Sequence, residues 1–215
     1  MYAMYPALLL LVLLPIQQAD PEEAYRNQYT EYTAISQLAD PAVQAERYLA
    51  FIDKGYDARL EGAIIQGLQN ALVALTGAGN YDKVYDLADK WVAARSGDLQ
   101  PIALAFQAGA ASGNNQATAK YGEILYATQP IPEVALSVAN AHLAMGNDSK
   151  LRQYGEIVIE NQPIGQTWSI AYNLVGQHES AGRFNQASQM ARKIQGGLSS
   201  APEGVSGTEW TQMRT

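Results

Sequence analysis

The chain of 215 residues contains no cysteine. That absence excludes disulfides, thiolate-held metals, haem attached through thioethers and a lipid anchor on a lipobox cysteine. Charge is also scarce: Asp, Glu, Lys and Arg make up 16% of the residues, against roughly 25% in an ordinary soluble domain. The 14 Lys and Arg residues form no cluster or stripe and the net charge is -7, so the electrostatic footprint of nucleic-acid binding is missing. An anionic membrane surface is disfavoured on the same ground. No Lys or Arg occurs from Leu60 to Asp82, Ser96 to Ala119, Tyr121 to Ser149 or Gln153 to Gly182. Catalytic signals are missing as well. No nucleophile motif adjoins either histidine, and no carboxylate pair stands out from the solvated charges.

What is present begins with an apolar start. Residues 1–19, "MYAMYPALLLLVLLPIQQA", carry no charged side chain, and the run from Ala7 to Ile16 fits the apolar region of an export signal. No Lys or Arg precedes it, and Gln17 stands where a cleavage site wants a small residue. A helix over residues 1–16 spans about 24 Å, short of a hydrocarbon core of about 30 Å. An apolar helix buried in the domain is one reading, and a cleaved signal peptide and a retained signal anchor through residues 1–18 are the two that imply export. In either case the rest of the chain is expected to be exported and to face the periplasmic or extracellular side, because Asp20, Glu22 and Glu23 follow and no basic residue holds them inside.

Further along, one pattern recurs four times: "AGNYDKVYDLADKW" at 78–91, "SGNNQATAKYGEIL" at 112–125, "MGNDSKLRQYGEIV" at 145–158 and "AGRFNQASQMARKI" at 181–194. Its anchoring glycines, Gly79, Gly113, Gly146 and Gly182, are spaced by 34, 33 and 36 residues. A near-constant period of this size marks stacked helical repeats. At fixed offsets after each glycine come Val84 and Ala88, Thr118 and Gly122, Leu151 and Gly155, Ala187 and Ala191, and then the larger Trp91, Leu125, Val158 and Ile194. These positions form one helix face whose small members admit a close neighbour. Pro130 and Pro163 end two of the helices. Each glycine is expected in the turn between two helices, with Asn beside it in three of the four copies to cap the second.

Spacing, Gly-Asn turn, small residues and terminal proline resemble the tetratricopeptide repeat. The resemblance implies an all-α fold, an α-solenoid of antiparallel helical hairpins: four repeats over 62–198, a divergent hairpin over 20–61, and a tail over 199–215. First helices here lack the family's large aromatic near their start, although Ala71, Ala105, Val138 and Leu174 fit its mid-helix apolar position. A related helical-hairpin class therefore stays open, and it too is a solenoid. The repeat also disposes of Gly77 and Gly79 as a phosphate cradle, since "ALVALTGAGN" reads as the end of a helix and not as a strand.

In the family that this chain resembles, first helices line a concave groove. The corresponding face maps to Gln66, Gln69, Val73, Gln100, Ala103, Gln107, Leu136, Asn140, Ser169 and Tyr172. With no Lys or Arg, it cannot form the family's basic clamp for acidic C-termini. It suits a neutral segment held by amide hydrogen bonds and apolar contact, or else it is packed on both sides by a tight superhelix. His142 and His178 stand four residues before their glycines, where periodicity assigns them to packing. "NDS" at 147–149 matches a glycosylation sequon and equally a helix cap. The Gly- and Ser-rich tail is expected to be flexible, with Trp210 and Met213 as a partner-docking anchor.

The resulting expectation is a non-enzymatic, membrane-anchored scaffold, an accessory or assembly subunit of a larger protein complex, with no cofactor and no metal. Two alternatives stand beside it. One is a self-assembling secreted filament or array, since solenoid ends expose apolar faces. The other is an enzyme on a helical toroid, for which Glu133 and Glu179 are the first-helix carboxylates.

Overall fold

The computed structural model of the chain describes residues 20–197, 201 and 206–214, and all regular structure among them is helical. The proposed signal or anchor at 1–19 lies outside the described residues. Among the described residues no helix is long and apolar enough to cross a membrane.

Helix α1 (Pro21–Ser36) and helix α2 (Pro41–Asp53) form the first pair. Each opens with an aspartate whose carboxylate accepts a backbone N–H of the first turn, Asp20 from Glu22 and Asp40 from Ala42, and each has proline in the first helical position, where no N–H is needed. A short 3-10 turn at Ala58–Leu60 leads into α3 (Glu61–Gly77), then α4 (Tyr81–Ala94), α5 (Gln100–Ser112), α6 (Asn115–Thr128), α7 (Pro132–Ala144), α8 (Asp148–Asn161), α9 (Ile164–Ser180) and α10 (Phe184–Gly197). From α1 to α10 every helix packs against the next, and α2 with α4, α3 with α5 and α7 with α9 also meet.

The four turn glycines all adopt the left-handed backbone, with φ of 75°, 69°, 67° and 70° at Gly79, Gly113, Gly146 and Gly182. At each, the following residue donates its N–H to a carbonyl five positions back: Asn80 to Leu75, Asn114 to Gly109, Asn147 to His142 and Arg183 to His178. This satisfies carbonyls that a helix end otherwise orphans. Asn114 and Asn147 then cap the next helix through their side-chain oxygens. Asn80 occupies the same place without a side-chain capping bond, so there the backbone turn does the work.

Close helix contact explains the small residues. A Cβ on Gly122 would lie 2.5 Å from Val138 Cγ2, and one on Gly155 2.8 Å from Ile170 Cγ2. Between α2 and α3, Gly67 gives way to the Tyr48 ring in the same manner. The mid-helix set Ala71, Ala105, Val138 and Leu174 is buried throughout, as are Val84, Ala88 and Trp91. The Trp91 indole N–H donates to Asp98 Oδ2 at 2.9 Å, which satisfies its one polar group in the core.

Gly207–Arg214 forms a short helix, α11, and Trp210 is buried on the chain itself, 9% exposed. The Met213 side chain lies outside the described residues.

Candidate functional site

The first helices of the four hairpins are α3, α5, α7 and α9, and the second helices are α4, α6, α8 and α10. Among the second helices, lysines reach back one hairpin. Lys83 on α4 pairs with Glu46 on α2, Lys120 on α6 with Asp89 on α4 at 2.8 Å, and Lys150 on α8 with Glu123 on α6 at 2.6 Å. Lys193 on α10 continues the series by donating to the Ile159 carbonyl of α8 at 2.6 Å. Hydrogen bonds to these carboxylates raise the pKa of Lys83, Lys120 and Lys150 against the opposing effect of burial. The pairs are mostly half exposed, so each adds little to stability. Their effect is on placement, because they hold cations on the second helices.

The first-helix face is left with amides, small groups and apolar side chains. Gln66 and Val73 on α3, Gln100 and Gln107 on α5, Asn140 on α7 and Tyr172 on α9 are exposed. Gln69 and Ser169 are half-buried. Ala103 and Leu136 are half-buried too, and pack against the core. Val73 is 55% exposed and Tyr172 49%, which makes them the largest apolar surfaces in the set. Gln66 Nε2 donates to Asn70 Oδ1 at 2.9 Å, so one amide of the face is already committed.

His142 is buried and its ring stacks on Tyr154, a packing role; it also makes a polar contact that the periodicity does not reveal. Its Nε2 lies 2.7 Å from Glu123 Oε1, while Glu123 Oε2 accepts from Lys150. Burial raises the Glu123 pKa, but the bonds from Lys150 and His142 outweigh it and leave the carboxyl below its ordinary value. His178, one hairpin on, is equally buried, with Glu156 4.0 Å away. Burial, helped by Arg183 and Arg152 and opposed by Glu156, lowers its pKa.

Glu133 and Glu179 are both exposed; Glu133 sits in the first turn of α7 and accepts from Gln162, and Glu179 sits in the last turn of α9. Nothing described brings them to one site. Gly79 follows α3 and closes its C-terminal turn, which accounts for the glycines that open the repeat.

Clefts open along the second helices, one between α2 and α4 lined by Leu49, Ala50, Lys90 and Ala93, and one between α8 and α10 lined by Ile159, Gln186, Met190 and Lys193. Sequence reasoning placed its groove on the other helices and gave these clefts no role. The signal for the lysine series was present: an acid stands ten residues after the glycine in the first three copies, at Asp89, Glu123 and Glu156.

Comparison of the chain with protein-family models, curated proteins and solved structures finds no match.

Proposed function

We propose that this protein is a non-enzymatic scaffold of the tetratricopeptide-like, α-solenoid kind, and that its uncharged first-helix face binds a neutral segment of a protein partner. The observation that carries the reading is the segregation of charge. Lysines sit on the second helices and pair with acids there, while Val73, Gln66, Gln107, Asn140 and Tyr172 stand exposed on helices without a Lys or Arg. Such a surface discriminates against charged segments, which would be desolvated without a counter-charge. The apolar residues 1–19 support attachment to a membrane with the repeats on its outer side, as an accessory or assembly subunit of a larger complex.

The test is gentle extraction of the full chain from its own cells, affinity purification and identification of co-purifying proteins. Stoichiometric partners that are lost on Val73→Glu or Tyr172→Glu would support the reading. A monomer without partners, or partners retained by both variants, would count against it.

A second reading, head-to-tail self-association, is favoured by Phe184. It stands two residues after Gly182 as Tyr81 stands after Gly79, yet Phe184 is 67% exposed whereas Tyr81 packs against the core. Sedimentation equilibrium decides it: one monomeric species at high concentration removes the reading.

A further inference from the structure

The series of lysine–carboxylate pairs along the second helices stops one step short. Lysine stands four residues after the turn glycine at Lys83 and Lys150, and seven after it at Lys120. In the last copy those two places hold Gln186 and Gln189. The acid that such a lysine would meet is still there. Glu156 stands ten residues after Gly146, as Glu123 stands ten after Gly113. Its ion-pair contact among the described residues is His178 Nε2 at 4.0 Å.

The preceding hairpin shows the finished arrangement. There His142 Nε2 lies 2.7 Å from one oxygen of Glu123, and Lys150 donates to the other at 2.6 Å. One repeat later His178 takes the place of His142, Glu156 that of Glu123 and Gln186 that of Lys150. Nδ1 lacks a partner in both histidines, so the difference rests on Nε2. At 4.0 Å from Glu156 the Nε2 of His178 is not hydrogen-bonded, on a side chain only 5% exposed. His178, Glu156 and Gln186 line the cleft between α8 and α10 together with Glu160, Gln189 and Met190. The cleft holds about 310 Å³, enough for a small ligand group. Lys193 also lines it, but donates to the Ile159 carbonyl at 2.6 Å and pairs with neither acid. Arg152 and Arg183 act electrostatically on His178, and among the described residues neither pairs with Glu156. The wall therefore offers two carboxylates and two amide oxygens as acceptors, with its own cation already bonded elsewhere.

We propose that the cleft between α8 and α10 binds a primary ammonium group from outside the chain, with Glu156, Glu160 and the Gln186 amide oxygen accepting its N–H bonds. Three donors on one nitrogen suit that set of acceptors, and Met190 offers apolar contact to the methylenes behind it. The three steps before it carry the same group, each time as a lysine on the next second helix. The ammonium belongs either to a small amine or to a lysine side chain of another protein, and the site is independent of the first-helix face.

The chain has 2 histidines, so His142, whose contacts are complete, serves as the internal control for His178. Their ring resonances in the full chain are followed by NMR at neutral pH and constant ionic strength. Butylammonium, the peptide acetyl-Gly-Lys-Gly amide and tetramethylammonium are added in turn. A saturable shift of His178 with His142 unmoved is expected from butylammonium, from the peptide, or from both; response to the peptide alone assigns the group to a protein, and to butylammonium alone to a small amine. Tetramethylammonium carries the charge without an N–H and should bind at least about tenfold more weakly, the worth of one charge-assisted hydrogen bond. Glu156→Gln should weaken the amine by at least about tenfold on the same ground. Gln186→Lys supplies the ammonium from α10 itself and should abolish the response, which decides the matter if Glu156→Gln fails to fold. No saturable shift from either amine, an equal response to tetramethylammonium, both histidines moving together, or an undiminished response in a folded variant would overturn the proposal.

Discussion

Nε2 of His142 on α7 meets Oε1 of Glu123 on α6 at 2.7 Å, and the other oxygen of the same carboxylate takes a bond from Lys150 on α8. One side chain thus joins three helices from two successive hairpins. Its removal should be felt beyond its own helix. Glu123→Ala strands a buried imidazole nitrogen and should destabilise the fold by about 1–3 kcal/mol, measured as a fall in urea midpoint.

The same carboxyl sets a pH dependence. Its pKa in the folded chain is depressed below 4.5, so its contribution is fully present above that value and is lost as pH falls through the folded one. The wild-type chain should lose stability in that acid range faster than Glu123→Gln. Parallel curves from urea titrations at stepped pH would remove Glu123 as the source.

Glycines on the helices divide into two kinds. Gly155→Ala drives a methyl to within 2.8 Å of Ile170 Cγ2 and 3.1 Å of Leu174 Cδ1, and should cost about 1–3 kcal/mol by overpacking. Gly176→Ala meets nothing within 4 Å and should gain about 0.4–1 kcal/mol, because the unfolded chain loses freedom. Thermal melts of the two variants should move in opposite directions.

Turn glycines form a third kind. At Gly146, φ is 67° and the space around a Cβ is open, so the penalty for Gly146→Ala is conformational, about 1–2 kcal/mol. Gly146→Asn should cost less, since asparagine enters the left-handed region more readily. An equal loss in both would place the penalty elsewhere.

What the sequence made legible is what a local rule fixes. A left-handed residue at a helix end wants glycine, so the four turns could be placed, and close helix approach wants small residues, so Gly122 and Gly155 could be placed too. Pairings across space were harder. Lys83, Lys120 and Lys150 find acids 37, 31 and 27 residues away, and no local rule fixes which turn of the neighbouring helix each will face. On the first helices, the face mapped from the family resemblance groups Ala103 and Leu136 with exposed amides, and these two are partly buried against the core.

Each of the four hairpins turns on a backbone latch whose N–H and carbonyl belong to the main chain, and from α1 to α10 each helix contacts its neighbours along the chain. Length is therefore an adjustable quantity. In the proposed solenoid, a stretch running from one turn glycine to the next should be open to insertion or excision with a glycine turn kept at each junction, and the molecule would then act as a ruler with divisions of about one hairpin. Under the proposed scaffold role, a partner that spans several hairpins would read that length as well as the side chains along it.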